Sequence, residues 1–322
     1  MDAIAPHLIE LSALVRETVR PSLGMHAARA HSGLAASGDV TFDIDEQAER
    51  VVEAFMAERL PGWAYYSEDR GLKGPPDPEV ILIVDPIDGT RPAAAGFEMA
   101  CVSIAAVPGS KEPTMGDVVA GVVQEIKSGD LFAAERGAGV KLLRADGSSI
   151  PLQPSPTYDL EHLFWTLGFR GRPAVILATV LEELIDTSSV GGSVFDIGSA
   201  TYSITRILTG QLDAYVDIGP AIIAAHPQTE ADFRRVGHGA VLNNCPYDLA
   251  AAHLICTEAG VPIGDAAGAT LADKRLLGSD HGYQMACIAS GNEELQQRLV
   301  EVVRRGIASF RPNSDTKRLA DG

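Results

Sequence analysis

An aliphatic run that passes directly into a cluster of carboxylates is the feature that most restricts how this chain can fold. Residues 81–84 read Ile-Leu-Ile-Val, and residues 85–90 read Asp-Pro-Ile-Asp-Gly-Thr. Four aliphatic residues in succession predict a buried strand. Because charged side chains are rarely buried without a partner, the strand has to deliver its two aspartates into a concavity at its carboxyl end.

The two aspartates of this segment are suited to holding a metal ion. Pro86 cannot continue a β-ladder, and we expect it to bend the chain out of the strand. Asp85 and Asp88 then face one concavity, with the backbone carbonyl of Ile87 between them. A set of oxygen ligands of this kind is typical of sites for hard cations, above all Mg²⁺.

The two residues that follow the aspartates are suited to an anion. Gly89 and Thr90 lead into a new segment and offer backbone N–H groups to a group such as phosphate. Asp-Gly is also a common turn pair, so the hexapeptide alone fits a solvated turn as well as a functional site. Acidic residues elsewhere in the chain bear on that choice.

Three further acidic residues fall at predicted strand ends or helix starts. Glu68 ends a short strand, Asp45 lies just inside the start of a helix, and Asp248 lies in the first turn of a helix in the second half. These are the positions at which α/β folds gather ligands. Taken singly, Asp45 also fits a charge favoured by the helix dipole, Asp248 an N-cap and Glu68 an exposed side chain.

The charge balance excludes several classes of function. The 322 residues carry a net charge of −17 with a pI near 4.8, so nonspecific binding to nucleic acid or to an anionic membrane is not expected. No apolar run approaches the ~18 residues of a membrane span, and the N-terminus lacks a secretory apolar segment. The cysteines at 101, 245, 256 and 287 form no CxxC motif, so we expect buried, reduced thiols in a cytoplasmic protein.

The order of predicted elements indicates an α/β chain in two halves. Two helices precede a series of strand-like runs, which predicts an antiparallel-rich sheet. A proline-rich stretch near residue 155 marks a boundary, and helices and strands alternate beyond it, which predicts α/β layering. We therefore divide the chain into residues 1–154, which carry the Asp-Pro-Ile-Asp-Gly-Thr motif, and residues 155–322, which carry Asp217 and Asp248.

Taken together, these motifs resemble the inositol monophosphatase family of magnesium-dependent, lithium-sensitive phosphatases. The family's first motif, Asp-Pro-Ile/Leu-Asp-Gly-Thr, is matched in full at residues 85–90, and its Glu-Ala-Gly is matched at residues 258–260. Its Trp-Asp-x-Ala motif is similar to Tyr-Asp-Leu-Ala at residues 247–250, and its Gly-Glu-Glu strand end is similar to Ser-Glu-Asp at residues 67–69. The resemblance covers nearly the whole chain and implies the family's fold, an α/β (α+β) layered αβαβα sandwich.

By this resemblance, the acidic residues would hold two Mg²⁺ ions. Glu68, Asp85 and the carbonyl of Ile87 would hold the first ion. Asp85, Asp88 and Asp248 would hold the second. Two ions can neutralise a phosphate monoester, lower the pKa of the attacking water and stabilise the leaving alkoxide, so no covalent phosphoenzyme is needed.

The resemblance also assigns the other polar groups of the site. Asp45 and Thr90 would pair, join Glu68 as catalytic groups and help to orient a water, with a weak third Mg²⁺ through Asp45. The N–H groups of Gly89 and Thr90 would hold the phosphate. The remaining implied substrate contacts are Asp217, which would accept a substrate hydroxyl, Ser199 and Ala200.

Departures from the family pattern leave the substrate open. Arg91, directly after Asp-Gly-Thr, is similar to the histidinol-phosphate phosphatase branch, and Phe195 stands where many members have an arginine. Residues 218–244 occupy an interval that the family usually crosses in a few residues. This insertion fits a lid, a specificity loop, an interface element or an exposed loop of no consequence.

The expected function is hydrolysis of a small, hydroxyl-rich phosphate ester. Inositol monophosphate is the first expectation, and histidinol phosphate, fructose 1,6-bisphosphate and a 3′-phosphonucleotide are the alternatives. A non-catalytic member that binds metal and a sugar phosphate is the alternative from another class. From the family we also expect a cytoplasmic homodimer whose partner is the small-molecule ester, with no nucleic-acid or membrane partner.

Overall fold

The computed structural model describes residues 4–25, 31–34 and 40–312, and its helices and sheets stack in five alternating layers. This arrangement is the predicted αβαβα sandwich. The helices are α1 (Ile4–Val19), α2 (Asp43–Arg59), α3 (Thr90–Ala95), α4 (Ala174–Val180), α5 (Glu182–Thr187), α6 (Ala200–Leu208), α7 (Gly219–Ala225), α8 (Glu230–Val236), α9 (Pro246–Ala259) and α10 (Glu293–Ser309).

The strands form a small two-stranded ladder and two large sheets. They are β1 (His31–Leu34), β2 (Val40–Phe42), β3 (Ala64–Ser67), β4 (Gly71–Lys73), β5 (Val80–Asp88), β6 (Cys101–Pro108), β7 (Ala120–Glu125), β8 (Leu131–Glu135), β9 (Gly139–Leu143), β10 (Ser149–Ile150), β11 (Phe164–Leu167), β12 (Ser193–Phe195), β13 (Ala214–Asp217), β14 (Ile263–Gly264) and β15 (Cys287–Ser290).

The larger sheet has eight strands in the order β10-β9-β8-β7-β6-β5-β3-β4, and the smaller has five in the order β12-β11-β13-β15-β14. In the larger sheet β3 and β5 are parallel and the other neighbours are antiparallel, as the strand-like runs predicted. In the smaller sheet β11 runs parallel to β12 and β13, whereas β15 runs antiparallel to its neighbours. The carboxyl ends of β3 and β5 therefore lie side by side.

Each layer is joined to the next by a separate region of the core. Helices α1 and α2 bury their apolar faces on one side of the larger sheet, and α4, α5, α7 and α10 cover the outer side of the smaller one. Helices α6 and α9 fill the space between the two sheets. Because α9 is enclosed by a sheet on each side, it is apolar around most of its circumference.

Small residues allow α9 to approach the larger sheet closely. A Cβ added to Gly121 on β7 would lie 3.3 Å from the Cα of Ala251, so the strand and the helix are almost in backbone contact. The shared core between the sheets draws on both halves of the chain. The domain bounds 1–154 and 155–322 stay a prediction, and their outermost residues, 1–3 and 313–322, lie outside the described residues.

Local signals in the sequence fix several helix ends. The side chain of Asn292 accepts a hydrogen bond from the N–H of Leu295 at 2.9 Å and caps α10. Gly260 ends α9 as its C-cap, with a left-handed φ of 68°.

Candidate functional site

The strand β5 delivers the two aspartates through a bulge. Asp85 pairs with Ser103 and Asp88 pairs with Cys101, and the register shifts between them. The expectation that Pro86 takes the chain out of the strand was therefore wrong. The missing N–H of proline interrupts the ladder only locally, and pairing resumes at Asp88. The bulge places one extra residue between the aspartates and lets both carboxylates reach the same side.

The carboxylate of Asp88 is held by the start of α6. The backbone N–H of Thr201 donates to Asp88 Oδ2 at 2.6 Å. Ser199 is the N-cap of α6, and its side chain accepts from the N–H of Tyr202. Asp85 is fixed differently, because its Oδ1 accepts from the N–H of Ile87 at 3.0 Å. Both orientations are thus set by backbone donors rather than by cationic side chains.

Asp45 and Asp248 occupy equivalent positions in two helices. Each is the third residue of its helix, and each accepts a hydrogen bond from the N-cap N–H, from Phe42 at 2.9 Å and from Cys245 at 2.6 Å. The second oxygen of Asp45 accepts from the hydroxyl of Thr90 at 2.9 Å. Asp248 is therefore not the N-cap of α9, because Cys245 occupies that position. In both helices the aspartate uses one carboxylate oxygen to accept from the N-cap N–H, which leaves the other oxygen for the site.

The carboxylates converge on one pocket. Oxygens of Asp85, Asp88 and Asp248 all lie within 4.8 Å of one another, although the three residues are far apart in the sequence. Glu68, which follows β3, lines the same pocket, as do Asp45 and Ile87. Every metal-ligand position predicted from the sequence is thus brought to one place. Its assignment to bound ions stays a prediction.

The electrostatics of this pocket match a cation site. Burial raises the pKa of Asp85 well above its usual range, and the nearby Asp88, Glu68 and Asp248 raise it further. Burial, with the charge of Asp88, also raises the pKa of Asp248 to about 8. Asp85 and Asp88 are only 2% and 6% exposed. Clustered carboxylates with raised pKa values favour a cation between them, and an all-oxygen donor set fits Mg²⁺.

Gly89 is required by the geometry at the end of β5. Its φ is +96°, and a Cβ at this position would lie 2.5 Å from the carbonyl oxygen of Met99 and 3.1 Å from Cβ of Ser199. A side chain here would displace the backbone that carries Asp88 and Thr90. Gly89 and Thr90 both line the carboxylate pocket. The phosphate-binding role of their N–H groups stays a prediction.

Glu49 on α2 supports the turn that presents Glu68, a role that the sequence did not suggest. Its carboxylate is 1% exposed, accepts a hydrogen bond from the hydroxyl of Ser67 at 3.0 Å and accepts a long one from the N–H of Asp69 at 3.4 Å. Arg70 in the same turn pairs with Glu46 and Glu53 on α2. The helix that carries Asp45 therefore also holds the residues on both sides of Glu68.

We expect Glu49 to make the stability of the metal-free protein depend on pH. Burial raises its pKa from 4.5 to about 7, so the folded chain binds a proton that the unfolded chain releases. The contribution of Glu49 to the free energy of unfolding should fall as pH rises from about 4.5 to about 7 and level off above that, by at most about 3 kcal/mol. Urea unfolding in EDTA between pH 4.5 and 8 measures the total slope, to which the carboxylates of the pocket also contribute. Glu49→Gln should make the slope between pH 4.5 and 7 less steep, whereas the exposed Glu53→Gln, the matched control, should not; equal slopes in wild type and Glu49→Gln would refute the assignment.

A larger cleft opens beside the carboxylate pocket, and Asp217 does not line it as predicted. Its carboxylate is 0% exposed and forms an ion pair with Arg172. The cleft is lined instead by Arg172 and Arg170, together with Ser199 and Ala200, which were expected there. In this arrangement Asp217 presents no exposed oxygen to a substrate hydroxyl, because it is buried and its oxygens accept from Arg172, from the hydroxyl of Tyr215 and from the N–H of Gly219.

The insertion at residues 218–244 is a packed part of the fold. It forms α7, a 3₁₀ turn and α8, and it buries Ile222, Phe233 and Val241 in the core beside the smaller sheet. This burial argues against an exposed loop of no consequence. The chain that leaves the insertion, residues 242–245, lines the cleft. Among the alternatives left open by the sequence, a specificity element fits this placement.

The sequence did contain a signal for the arginines that were missed. Residues 168–173 read Gly-Phe-Arg-Gly-Arg-Pro directly after β11, and two cations flanking a glycine at a strand end could have been recognised as ligand-binding.

Within the described ranges, no helix is long and apolar enough to span a bilayer.

Comparison with known proteins gives a family and a fold. The model of the inositol monophosphatase family matches residues 1–307. An inositol-1-monophosphatase of Mesorhizobium japonicum is 25% identical over 280 residues, covering 86% of this chain and 87% of that protein. A protein of Xylella fastidiosa named Nus factor SuhB is 27% identical and covers 82% of each chain. The crystal structure of the extragenic suppressor protein suhB from Bartonella henselae superposes with a TM-score of 0.70 at 21% identity, covering 95% of this chain and all of that one.

Proposed function

This chain belongs to the inositol monophosphatase family, and from this premise we propose that it is a magnesium-dependent phosphomonoesterase of a small, hydroxyl-rich phosphate ester. The observation that carries the proposal is the convergence of Asp85, Asp88 and Asp248 within 4.8 Å in a pocket that Glu68 also lines. No cationic side chain donates to Asp85 or Asp88 in the described contacts. A bound divalent cation would supply the missing positive charge.

The residues of the pocket divide the work of hydrolysis. Glu68, Asp85 and the carbonyl of Ile87 would hold one Mg²⁺, and Asp85, Asp88 and Asp248 a second. Such ions neutralise the phosphate dianion, lower the pKa of the attacking water and stabilise the leaving alkoxide. By holding the ions, the carboxylates would set the position of the phosphate and so orient the ester for in-line attack.

We assign the orientation of the attacking water to Asp45 and Thr90. The Thr90 hydroxyl donates to Asp45 at 2.9 Å and lies 3.2 Å from the carbonyl oxygen of Ile87. Asp45 therefore fixes the hydroxyl of Thr90, whose oxygen can accept a hydrogen bond from a water at the pocket. A proton taken from that water would replace the hydroxyl proton of Thr90, which would pass to the carboxylate of Asp45. The N–H groups of Gly89 and Thr90 would donate to phosphate oxygens as the ester binds.

A panel of esters tests this function and ranks the substrates. We expect the purified protein to release phosphate from at least one of inositol 1-phosphate, histidinol phosphate, fructose 1,6-bisphosphate and a 3′-phosphonucleotide when Mg²⁺ is present. EDTA should abolish the release, and added Mg²⁺ should restore it, because the carboxylates alone repel the dianion. Inositol 1-phosphate is the substrate we expect first.

Two results would count against the proposal. Phosphate release that is insensitive to EDTA would exclude the metal-dependent mechanism. The absence of release from every ester, combined with tight binding of an ester by calorimetry, would favour a non-catalytic family member. The second result has a specific motive, because some relatives carry names that describe no hydrolysis, such as Nus factor SuhB of Xylella fastidiosa.

A further inference from the structure

Arg172 is a buried cation at the wall of the larger cleft. It is 8% exposed and lines the cleft but not the carboxylate pocket, whereas Arg170 lines both. A buried guanidinium is unfavourable unless its charge is compensated and its donors are satisfied. The groups around Arg172 therefore have to compensate its charge and accept its N–H donors.

Asp217 holds Arg172 in one orientation. The Nε of Arg172 donates to Asp217 Oδ1 at 3.2 Å, and its Nη2 donates to Asp217 Oδ2. Its Nη1 donates to the backbone carbonyl of Arg170 at 2.6 Å. Gly168 makes room for this pair, because a Cβ there would lie 2.5 Å from Asp217 Oδ2. A planar guanidinium bound on two sides has a fixed direction toward the cleft.

The remaining donors of Arg172 are available to a ligand. A guanidinium has five N–H groups, and three have partners in the described part of the chain, which leaves one on Nη1 and one on Nη2. Two parallel N–H groups on a guanidinium match the two oxygens of a carboxylate or a phosphate.

The donors at this wall suit an acidic group. Arg172 and Arg170 both line it, whereas the carboxylates that line the same cleft are those of the proposed Mg²⁺ site, where bound ions would compensate their charge. Asp217 is 0% exposed, so a substrate group at Arg172 meets the two remaining N–H donors and not the carboxylate that orients them. An acidic group can accept from both donors at once.

We propose that Arg172, oriented by Asp217, is a specificity-determining residue that binds a second acidic group on the alcohol part of the phosphate ester. This inference rests on the proposed phosphatase function and narrows its substrate class to esters that carry a carboxylate or a second phosphate. The scissile phosphate lies at the carboxylate pocket, and the second acidic group lies at Arg172, with Arg170 between them.

Two matched pairs of esters test the proposal. 3-Phosphoglycerate differs from glycerol 3-phosphate by a carboxylate in place of a hydroxymethyl group, and fructose 1,6-bisphosphate differs from fructose 1-phosphate by a second phosphate. We expect kcat/KM to be at least ~10-fold higher for the charged member of one pair, mainly through a lower KM, as charge-assisted hydrogen bonds provide. The pair that shows the preference distinguishes a carboxylate from a phosphate.

A double variant removes the charge of Arg172 without leaving the carboxylate of Asp217 buried and unpaired. Arg172→Gln alone leaves Asp217 as a buried unpaired charge and can fail to fold, so the main variant is the double replacement Arg172→Gln with Asp217→Asn. The double variant should reduce the ratio of kcat/KM for the charged ester to kcat/KM for the neutral ester from ~10 or more to ~1. Arg235→Gln is the control, because Arg235 is an arginine of α8 whose side chain is 69% exposed; it should keep the wild-type ratio.

The results separate this inference from the phosphatase proposal. Equal kcat/KM within both pairs for the wild type, or an unchanged ratio in the double variant, overturns the role of Arg172 and leaves the phosphatase proposal standing. If no ester is hydrolysed, the phosphatase proposal fails and the comparison is made by calorimetry with Mg²⁺ present. Tighter binding of the charged member that disappears in the double variant then supports the site, and equal affinities overturn it.

Discussion

Asp85→Asn is expected to lower kcat for phosphate release by at least ~1,000-fold, because it removes a carboxylate that the proposed mechanism shares between both Mg²⁺ ions. Each ion supplies several kcal/mol of transition-state stabilisation, and every 1.36 kcal/mol is a factor of ten in rate. Asparagine keeps the shape of the side chain and can still accept the hydrogen bond from the N–H of Ile87. The loss should therefore come from chemistry and not from unfolding.

The same substitution should stabilise the metal-free protein at high pH. Burial and the neighbouring carboxylates hold the pKa of Asp85 well above its usual range. A raised carboxylate pKa means that the folded state becomes less stable as pH rises above the unfolded pKa, and asparagine removes that loss. Thermal unfolding in EDTA should give a higher Tm for Asp85→Asn than for wild type at pH 8, and a smaller difference at pH 4.

A control substitution separates these effects from the loss of any one charge. Asp77 lies exposed in the loop before β5, and Asp77→Asn should change neither kcat nor the pH dependence of Tm. Wild-type turnover in Asp85→Asn would show that the ligand assignment is wrong. A lower Tm for Asp85→Asn in EDTA at pH 8 would instead show that the carboxylates of the pocket do not destabilise one another.

Gly89→Ala is the second change with a large expected effect. Alanine would have to adopt a φ of +96° and place its Cβ 2.5 Å from the carbonyl oxygen of Met99. The left-handed backbone and the overlap together should cost about 3 kcal/mol of stability. Relief of the overlap moves the backbone between Asp88 and Thr90, so kcat/KM should fall by ~100-fold as the carboxylates and phosphate donors lose their alignment.

Gly137→Ala is a matched control for Gly89→Ala. Gly137 also has a positive φ, 75°, but a Cβ there would meet no atom within 4 Å. Its substitution should cost about 1 kcal/mol from backbone strain alone and leave turnover unchanged. Urea unfolding and steady-state kinetics of both variants check the comparison. Equal losses of stability and activity in the two variants would mean that the contact with Met99 has no role.

The strongest predictions from sequence were those that depended on local chemistry. A buried run followed by Asp-Pro-Ile-Asp-Gly-Thr predicted that β5 brings its aspartates to a pocket, and the helix starts at Asp45 and Asp248 predicted where further carboxylates would lie. These succeed because strand burial and helix capping are properties of a few consecutive residues. The layered fold followed from the order of elements together with the family resemblance.

Features that depend on distant contacts were beyond the sequence. Nothing local shows that pairing resumes after Pro86, because that depends on the register of β6 against β5. Nothing local shows that Asp217 meets Arg172, 45 residues earlier in the chain, or that Glu49 supports the turn at Glu68. In each case a buried polar group finds a partner that only the packing of layers reveals.

The position of α9 between the sheets has a consequence for how the protein is made. Asp85 and Asp88 emerge from the ribosome with the first sheet, but their companion Asp248 is synthesised some 160 residues later. The proposed site for two Mg²⁺ ions therefore cannot be completed on a nascent N-terminal half. Once complete, it would link a sheet that is synthesised early to a helix that is synthesised late, and the affinity for the cations would indicate that the whole chain has been made and folded.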